Sequence, residues 1–272
     1  MSIPKITHQI WLQGWDKLPK KFSQNVNLLH SFNPSYTHMQ WDEKSLRVEC
    51  GKINPQVLAM FDSFKYLVQK VDLGRYVVLY NYGGISVDTD MKSFKTLDLT
   101  PGITTHDFIV SYSAFPGNVL GIINNAFIMT KKEHPILYKL IMSIATTEIK
   151  ESDFPTKELY IFASTSPSKF NEYMYANRND IMILDRVYFE PCFSIDPICN
   201  PSDKSIMDHK HELSWFNGWT KIFVQFLIIL LYVFLIMIIP VIIFWNRVRI
   251  KKLLKFIQKT LARYNVKFTV LD

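Results

Sequence analysis

The chain predicts an α/β domain followed by a membrane-embedded helix and a basic tail. Three observations carry that expectation. Strand-like runs rich in β-branched and aromatic residues alternate with helical runs from Lys5 to Phe189. One of these strands, Ile85–Val87, runs out into two carboxylates, Asp88 and Asp90. Ile222–Trp245 then passes about 24 residues without a charge, long enough to cross roughly 30 Å of hydrocarbon with some tilt. The expected boundaries are residues 1–218 for the domain, 219–246 for the helix and 247–272 for the tail.

Taken in order, Lys5–Leu12 reads as a buried first strand ending near Gly14. Pro19 opens a helix over 20–31, stopped by the Asn33-Pro34 turn. Thr37–Trp41 alternates as a second strand, and Asp42 is placed to cap a helix over 43–49. Asn54–Phe64 and Val68–Tyr80 read as helices, the second with an apolar stripe that includes Leu67, Val71, Leu73, Val77 and Val78. Gly83-Gly84 ends that helix, and with no side chain these glycines are expected to leave room for a ligand. Further strands are expected over 108–112, 122–129, 181–184 and 187–189, with helices from Pro135 to about Ala145 and over 169–175. Residues 190–208 read as a Pro-rich loop.

The formal net charge is +7, and it is unevenly placed. Residues 246–272 hold eight basic residues against Asp272, so the remaining body is neutral. That argues against nucleic acid as a partner and for a tail that meets anionic lipid headgroups. Trp215, Trp219 and Trp245 sit where interface aromatics are expected. Met1–Ile6 is not a signal peptide, having a proline and a lysine where an apolar run is required. Three cysteines, Cys50, Cys192 and Cys199, show no metal spacing, and pairing of Cys192 with Cys199 stays open.

Asp88-Thr89-Asp90 at a strand end is a way to hold Mg²⁺ or Mn²⁺ through oxygen ligands, completed by substrate phosphates. Asp72 and Arg75 lie three apart on the preceding helix and share a face. Arg75 has the forked donors that suit phosphate or sugar, although an ordinary surface ion pair has the same spacing. Trp11, on an apolar strand, reads as core as readily as a platform for a base. His8 and His30 read as structural or surface residues.

Five blocks resemble glycosyltransferase family 32, the sugar transferases that contain the D-x-D motif. They are IPKITHQIWLQG (Ile3–Gly14), SFNPSYTHMQWDE (Ser31–Glu43), KVDLGRYVVLYNYGGISVDTDM (Lys70–Met91), NNAFIMTKKEHPIL (Asn124–Leu137) and HKHELSW (His209–Trp215). They occur in the family's order across about residues 3–215. The resemblance implies a GT-A, Rossmann-like fold and a Mn²⁺- or Mg²⁺-dependent transfer that retains anomeric configuration. By the same resemblance Asp88 and Asp90 match the catalytic metal and diphosphate site, with His209 as a further metal or phosphate contact. Trp11 matches the base-stacking aromatic, and Asp72 and Arg75 the donor-sugar contacts. Asn125 matches the sugar-lining block, and Ser214 and Trp215 the loop that closes over the diphosphate. Ser86 departs from the family's tyrosine, Thr165-Ser166-Pro167 from its T-G-P, and His211 from a glycine or aromatic position.

The resemblance favours GDP-mannose as donor, with UDP-hexoses open, and a lipid headgroup or glycan as acceptor beside the membrane. A binding protein without turnover and a nucleotide-sugar hydrolase are the other readings. A single-pass protein of the Golgi or ER membranes is expected. The basic tail favours a lumenal body, while the lack of a leader favours a cytosolic one, and a hairpin at Pro240 is a third arrangement.

Overall fold

β1 (Ile6–Ile10) is the strand on which the N-terminal half is assembled. It is followed by α1 (Lys20–Phe32), β2 (Thr37–Trp41), α2 (Glu43–Ile53), α3 (Pro55–Ser63), α4 (Leu67–Tyr82), β3 (Gly84–Val87), β4 (Met91–Ser93), β5 (Phe108–Tyr112) and β6 (Ile123–Thr130). Then come α5 (Pro135–Thr146), α6 (Lys157–Ser164), α7 (Pro167–Ala176), β7 (Met182–Leu184), β8 (Met207–His209) and α8 (Gly218–Ala262). The structure, a computed structural model, describes residues 3–114, 117–192, 200–212 and 218–262. The chain falls into two units, Met1–Trp215 and Phe216–Asp272.

Six strands form one mixed sheet in the order β2-β1-β3-β6-β5-β7. β1 pairs in parallel with β2 and β3, and β5 with β7, while β6 runs antiparallel between β3 and β5. Side-chain alternation gives the sheet two buried faces. Phe108, Val110 and Ile128 join Leu46, Phe61, Tyr76, Leu140 and Phe170 in one core. Ile85, Val87, Ile109, Phe127 and Met129 join Leu29, Phe189 and Met207 in the other.

Local chemistry explains most boundaries. Asp42 caps α2 through Ser45 N at 2.8 Å, and Ser45 Oγ accepts from Asp42 N at 2.9 Å, a reciprocal box. Asn54 caps α3 by accepting from Val57 N at 2.9 Å, with Pro55 in the first turn. α4 ends on Gly83 with φ +66, followed by Gly84 with φ +98. A Cβ on Gly83 would sit 2.5 Å from Lys132 N, and one on Gly84 2.5 Å from Ile6 O. These glycines therefore let β3 press against neighbouring backbone, and the expectation that they open space for a ligand is corrected.

Three further corrections concern elements. The stripe on α4 is buried at Leu73, Val77 and Val78, but Leu67 is 46% exposed, and the buried side also takes in Asp72 and Arg75, only 2% and 3% exposed. The strand expected over 187–189 is a 3-10 turn, Arg186–Tyr188. Asp185 accepts from Val187 N at 2.9 Å and bends the chain, so that Phe189 stacks on Phe127 with centroids 3.7 Å apart. The expected loop 190–208 ends in β8, which pairs antiparallel with β4.

His8 is structural. Trp41 Nε1 donates to its Nδ1 at 3.1 Å, leaving Nε2–H to donate to Gly83 O at 2.8 Å. Burial pushes its pKa down to about 4, so the ring is neutral.

α8 is continuous from Gly218 to Ala262 and contains Pro240. Among the described residues no helix is long and apolar enough to cross a membrane, and many α8 side chains lie outside the description. Cys50 is a buried free thiol. Cys192 is disulfide-bonded, and Cys199 lies outside the described residues.

Candidate active site

β3 delivers Asp88 to the rim of the sheet, where its N–H still donates to Ala126 O of β6 at 3.0 Å. Met91 N donates to Asp88 O at 3.0 Å, closing a turn over 88–91. β4 leaves this turn and pairs with β8 in a register that sets Met91 opposite His209. A pairing across more than a hundred residues thereby brings His209 Nε2 to 3.2 Å from Asp90 Oδ1. Glu212 N donates to Asp90 Oδ2 at 3.1 Å.

α4 supplies the other wall. Arg75 Nη2 lies 2.6 Å from Asp88 Oδ1, and its Nη1 donates to Asn125 O. Asp72 accepts from Ser166 Oγ at 2.5 Å, Thr165 Oγ1 at 3.1 Å and Asn125 Nδ2 at 3.1 Å. The departure at Ser166 thus adds a second hydroxyl donor, beside that of Thr165, to a buried carboxylate. Trp11 lies just past β1, where its N–H donates to Trp41 O at 2.9 Å before a turn at Gly14. Its ring packs on Phe22 at 5.3 Å.

These residues line one cleft of about 480 Å³, a size that suits a small-molecule ligand. Trp11, Asp72, Arg75, Asp88, Asp90, Asn125 and His209 all border it. Ser214 and Trp215 lie outside the described residues.

The electrostatics divide the carboxylates. Burial and Asp90 push the Asp88 carboxyl up against the pull of Arg75. About a third of that side chain, 32%, stays open to the cleft, and water moderates the rise. Burial acts on Asp90 too, but His209, the Glu212 amide and His211 outweigh it and hold the group well below the usual carboxylate range. Burial likewise opposes the charge on His209, yet Asp90 and Glu190 raise its pKa well above the ordinary value. Asp72 is raised by burial despite Arg75 and its three donors.

Ligand atoms of Asp88, Asp90 and His209 lie within 4.8 Å of one another. Two carboxylates and an imidazole fit a divalent cation such as Mn²⁺, with Mg²⁺ better served by the oxygens alone. Glu190, His209 and His211 meet the same criterion.

Sequence reasoning missed Glu190. It sits in the stretch read as loop, and a lone acid between Phe189 and Pro191 carries no local signal. His211 was visible as a departure from a glycine-type position, and it does adopt φ +47, where L-residues are strained.

A mixed sheet with a carboxylate pair at the end of a central strand, one of the pair joined to a buried Arg and both bordering a cleft, defines an α/β protein with a charged site. Residues 19–109 match the profile of the glycosyltransferase sugar-binding region containing the DXD motif. A glycosyltransferase of Acanthamoeba polyphaga mimivirus, itself uncharacterised, is 27% identical over 70% of this chain and 74% of its own length. Inositol phosphoceramide mannosyltransferases 3 and 1 of Schizosaccharomyces pombe are 29% and 25% identical over 53% and 82% of this chain. The chain spans only 37% and 65% of those two relatives. Among solved structures, the PaToxG glycosyltransferase superposes with a TM-score of 0.49 at 18% identity, over 65% of this chain and 70% of its own. Residues 19–109 thus resemble the sugar-binding region of the DXD-containing glycosyltransferases, and these likenesses support an enzyme of that kind.

Proposed function

We propose that this enzyme moves a hexose, mannose in the first instance, from a nucleoside diphosphate sugar to a membrane-proximal lipid headgroup or glycan, with retention of anomeric configuration. The observation that carries the reading is the convergence of Asp88, Asp90 and His209 in a cleft bordered by Arg75 and Trp11. Mannose is favoured because the two fission-yeast relatives are named as mannosyltransferases.

In this reading Asp90 and His209, with Asp88 directly or through water, hold Mn²⁺ or Mg²⁺. The bound cation supplies charge neutralisation at the leaving diphosphate. Trp11 stacks on the base, and Ser214 and Trp215 close over the diphosphate. Asp72 and Asn125, locked to each other and to Arg75, hold the sugar wall rigid, so the reacting carbon meets the acceptor in one orientation. The decisive assay offers GDP-mannose, UDP-glucose and UDP-galactose with Mn²⁺, with and without a lipid extract. Nucleotide release that requires both acceptor and Mn²⁺, and stops on chelation, is expected. Binding without turnover would instead make the protein a scaffold, and release indifferent to acceptor would make it a hydrolase.

We further propose that α8 anchors the enzyme in an endomembrane through the uncharged run Ile222–Trp245, with the body in the lumen. The basic residues that follow favour the cytosolic face, and a disulfide-bonded Cys192 suits an oxidising lumen. A glycosylation-acceptor tag on each terminus tests this. Modification of the N-terminal tag alone is expected, and modification of the C-terminal tag would overturn it.

A further inference from the structure

We infer that Glu190 is a positioning residue that sets the tautomer of His209, keeping the proton on Nδ1 and turning Nε2 toward Asp88 and Asp90. The inference rests on reading those three residues as the cation site. Glu190 is 1% exposed and borders no part of the cleft. Its Oε1 faces His209 Nδ1 at 3.0 Å. Its Oε2 accepts from Ala114 N at 2.6 Å and Ser113 Oγ at 3.2 Å, and lies 3.3 Å from His211 Nε2. The Ala114 amide and the Ser113 hydroxyl both donate to this carboxylate, which as a carboxylate can only accept.

A competing group makes the arrangement informative. Asn124 Nδ2 also lies 3.1 Å from His209 Nδ1. The amide cannot turn its oxygen there, because Oδ1 already accepts from Ala126 N at 2.9 Å. Asn124 therefore presents a donor to the same nitrogen to which Glu190 presents an acceptor. With Glu190 in place, Nδ1 keeps its hydrogen and Nε2 is the nitrogen available to a cation. Without it, Asn124 donates to Nδ1, a neutral ring carries its proton on Nε2, and no lone pair is left there for a cation. Outer partners of a ligating histidine typically contribute about 10–100-fold in metal affinity.

Glu190→Gln separates this role from packing. The Ala114 amide demands an acceptor, so the glutamine oxygen is expected at the Oε2 position, turning its NH₂ group onto Nδ1. Mn²⁺ binding by the full-length protein, followed by electron paramagnetic resonance, is expected to weaken about 10–100-fold, with loss of the imidazole nitrogen modulation. The ¹⁵N shifts of His209 in the Mg²⁺-loaded wild-type protein provide a reading independent of any variant, and a protonated Nδ1 is expected. Unchanged Mn²⁺ affinity in Glu190→Gln, a bare Nδ1 in the wild type, or two Mn²⁺ per chain held also by His211 would each overturn the inference while leaving the cation site standing. A wild-type protein that binds no Mn²⁺ would remove the cation reading and this inference with it.

Discussion

Asp90→Asn is expected to abolish sugar transfer, lowering kcat/KM by about 10³-fold or more, equivalent to about 4 kcal/mol of transition-state stabilisation. The side chain keeps its size, so the effect is one of charge. Asp90 is the carboxylate held most firmly ionised, fixed by the Glu212 amide and by His209. An amide cannot supply the same ligand. The fold should survive at a cost of about 1.5–3 kcal/mol, the range for a hydrogen bond to a charged group. Because the folded pKa of Asp90 lies below its unfolded value, that contribution is fully present above the unfolded pKa and is lost only on acidification through the folded one. Neutral pH therefore shows the whole loss. Asp88→Asn differs in stability though not in activity. The fold already disfavours the Asp88 charge, so removing it is close to neutral for folding. Thermal melts of both variants with a radiolabelled-donor assay check the contrast. A wild-type transfer rate in Asp90→Asn, in the same metal, rejects the assignment.

That contrast was not legible in the sequence, where Asp88 and Asp90 are equivalent members of one motif. The local signals were legible. Asp42 declares the start of α2, and β2 and β5 show their alternation or β-branched runs at the bounds observed. Residues as far apart in the chain as Trp11 and His209 border one cleft. What the sequence concealed depends on distant partners. β4 and β8 are three residues each, too short to announce themselves, and each exists because the other is there. The environment of α4 was equally hidden. Its charged residues look like an exposed face until Ser166, Thr165 and Asn125 enclose Asp72 from elements more than fifty residues away. Val187 has strand propensity, but a side-chain cap from Asp185 overrides it. Glu190 acquires meaning only when β8 carries His209 alongside.

The buried pair on α4 sets the second large expectation. Arg75→Met is expected to destabilise the domain by about 3–5 kcal/mol, because it strands buried charge rather than because it removes a strong bond. Arg75 is enclosed, and its cationic form survives burial through Asp88 and Asp72. Methionine fills much of the volume but leaves both carboxylates without their cation and Asn125 O without its donor. For a unit of this size the loss corresponds to a fall in Tm of about 6–20 °C. Arg75→Lys should recover little, since one ammonium cannot reach Asp88 and Asn125 O with the same planar fork. Adding Asp88→Asn to Arg75→Met should recover part of the stability, because one of the stranded charges is gone. The double variant thus reports a coupling energy of the sign expected for a buried pair. It should recover no activity, since the cation site loses a carboxylate at the same time. Urea titrations of the single and double variants check the prediction. An Arg75→Met domain within about 1 kcal/mol of the wild type would mean that water in the cleft, rather than the guanidinium, already balances Asp88, which would weaken the case for Arg75 as the residue that keeps the site ionised.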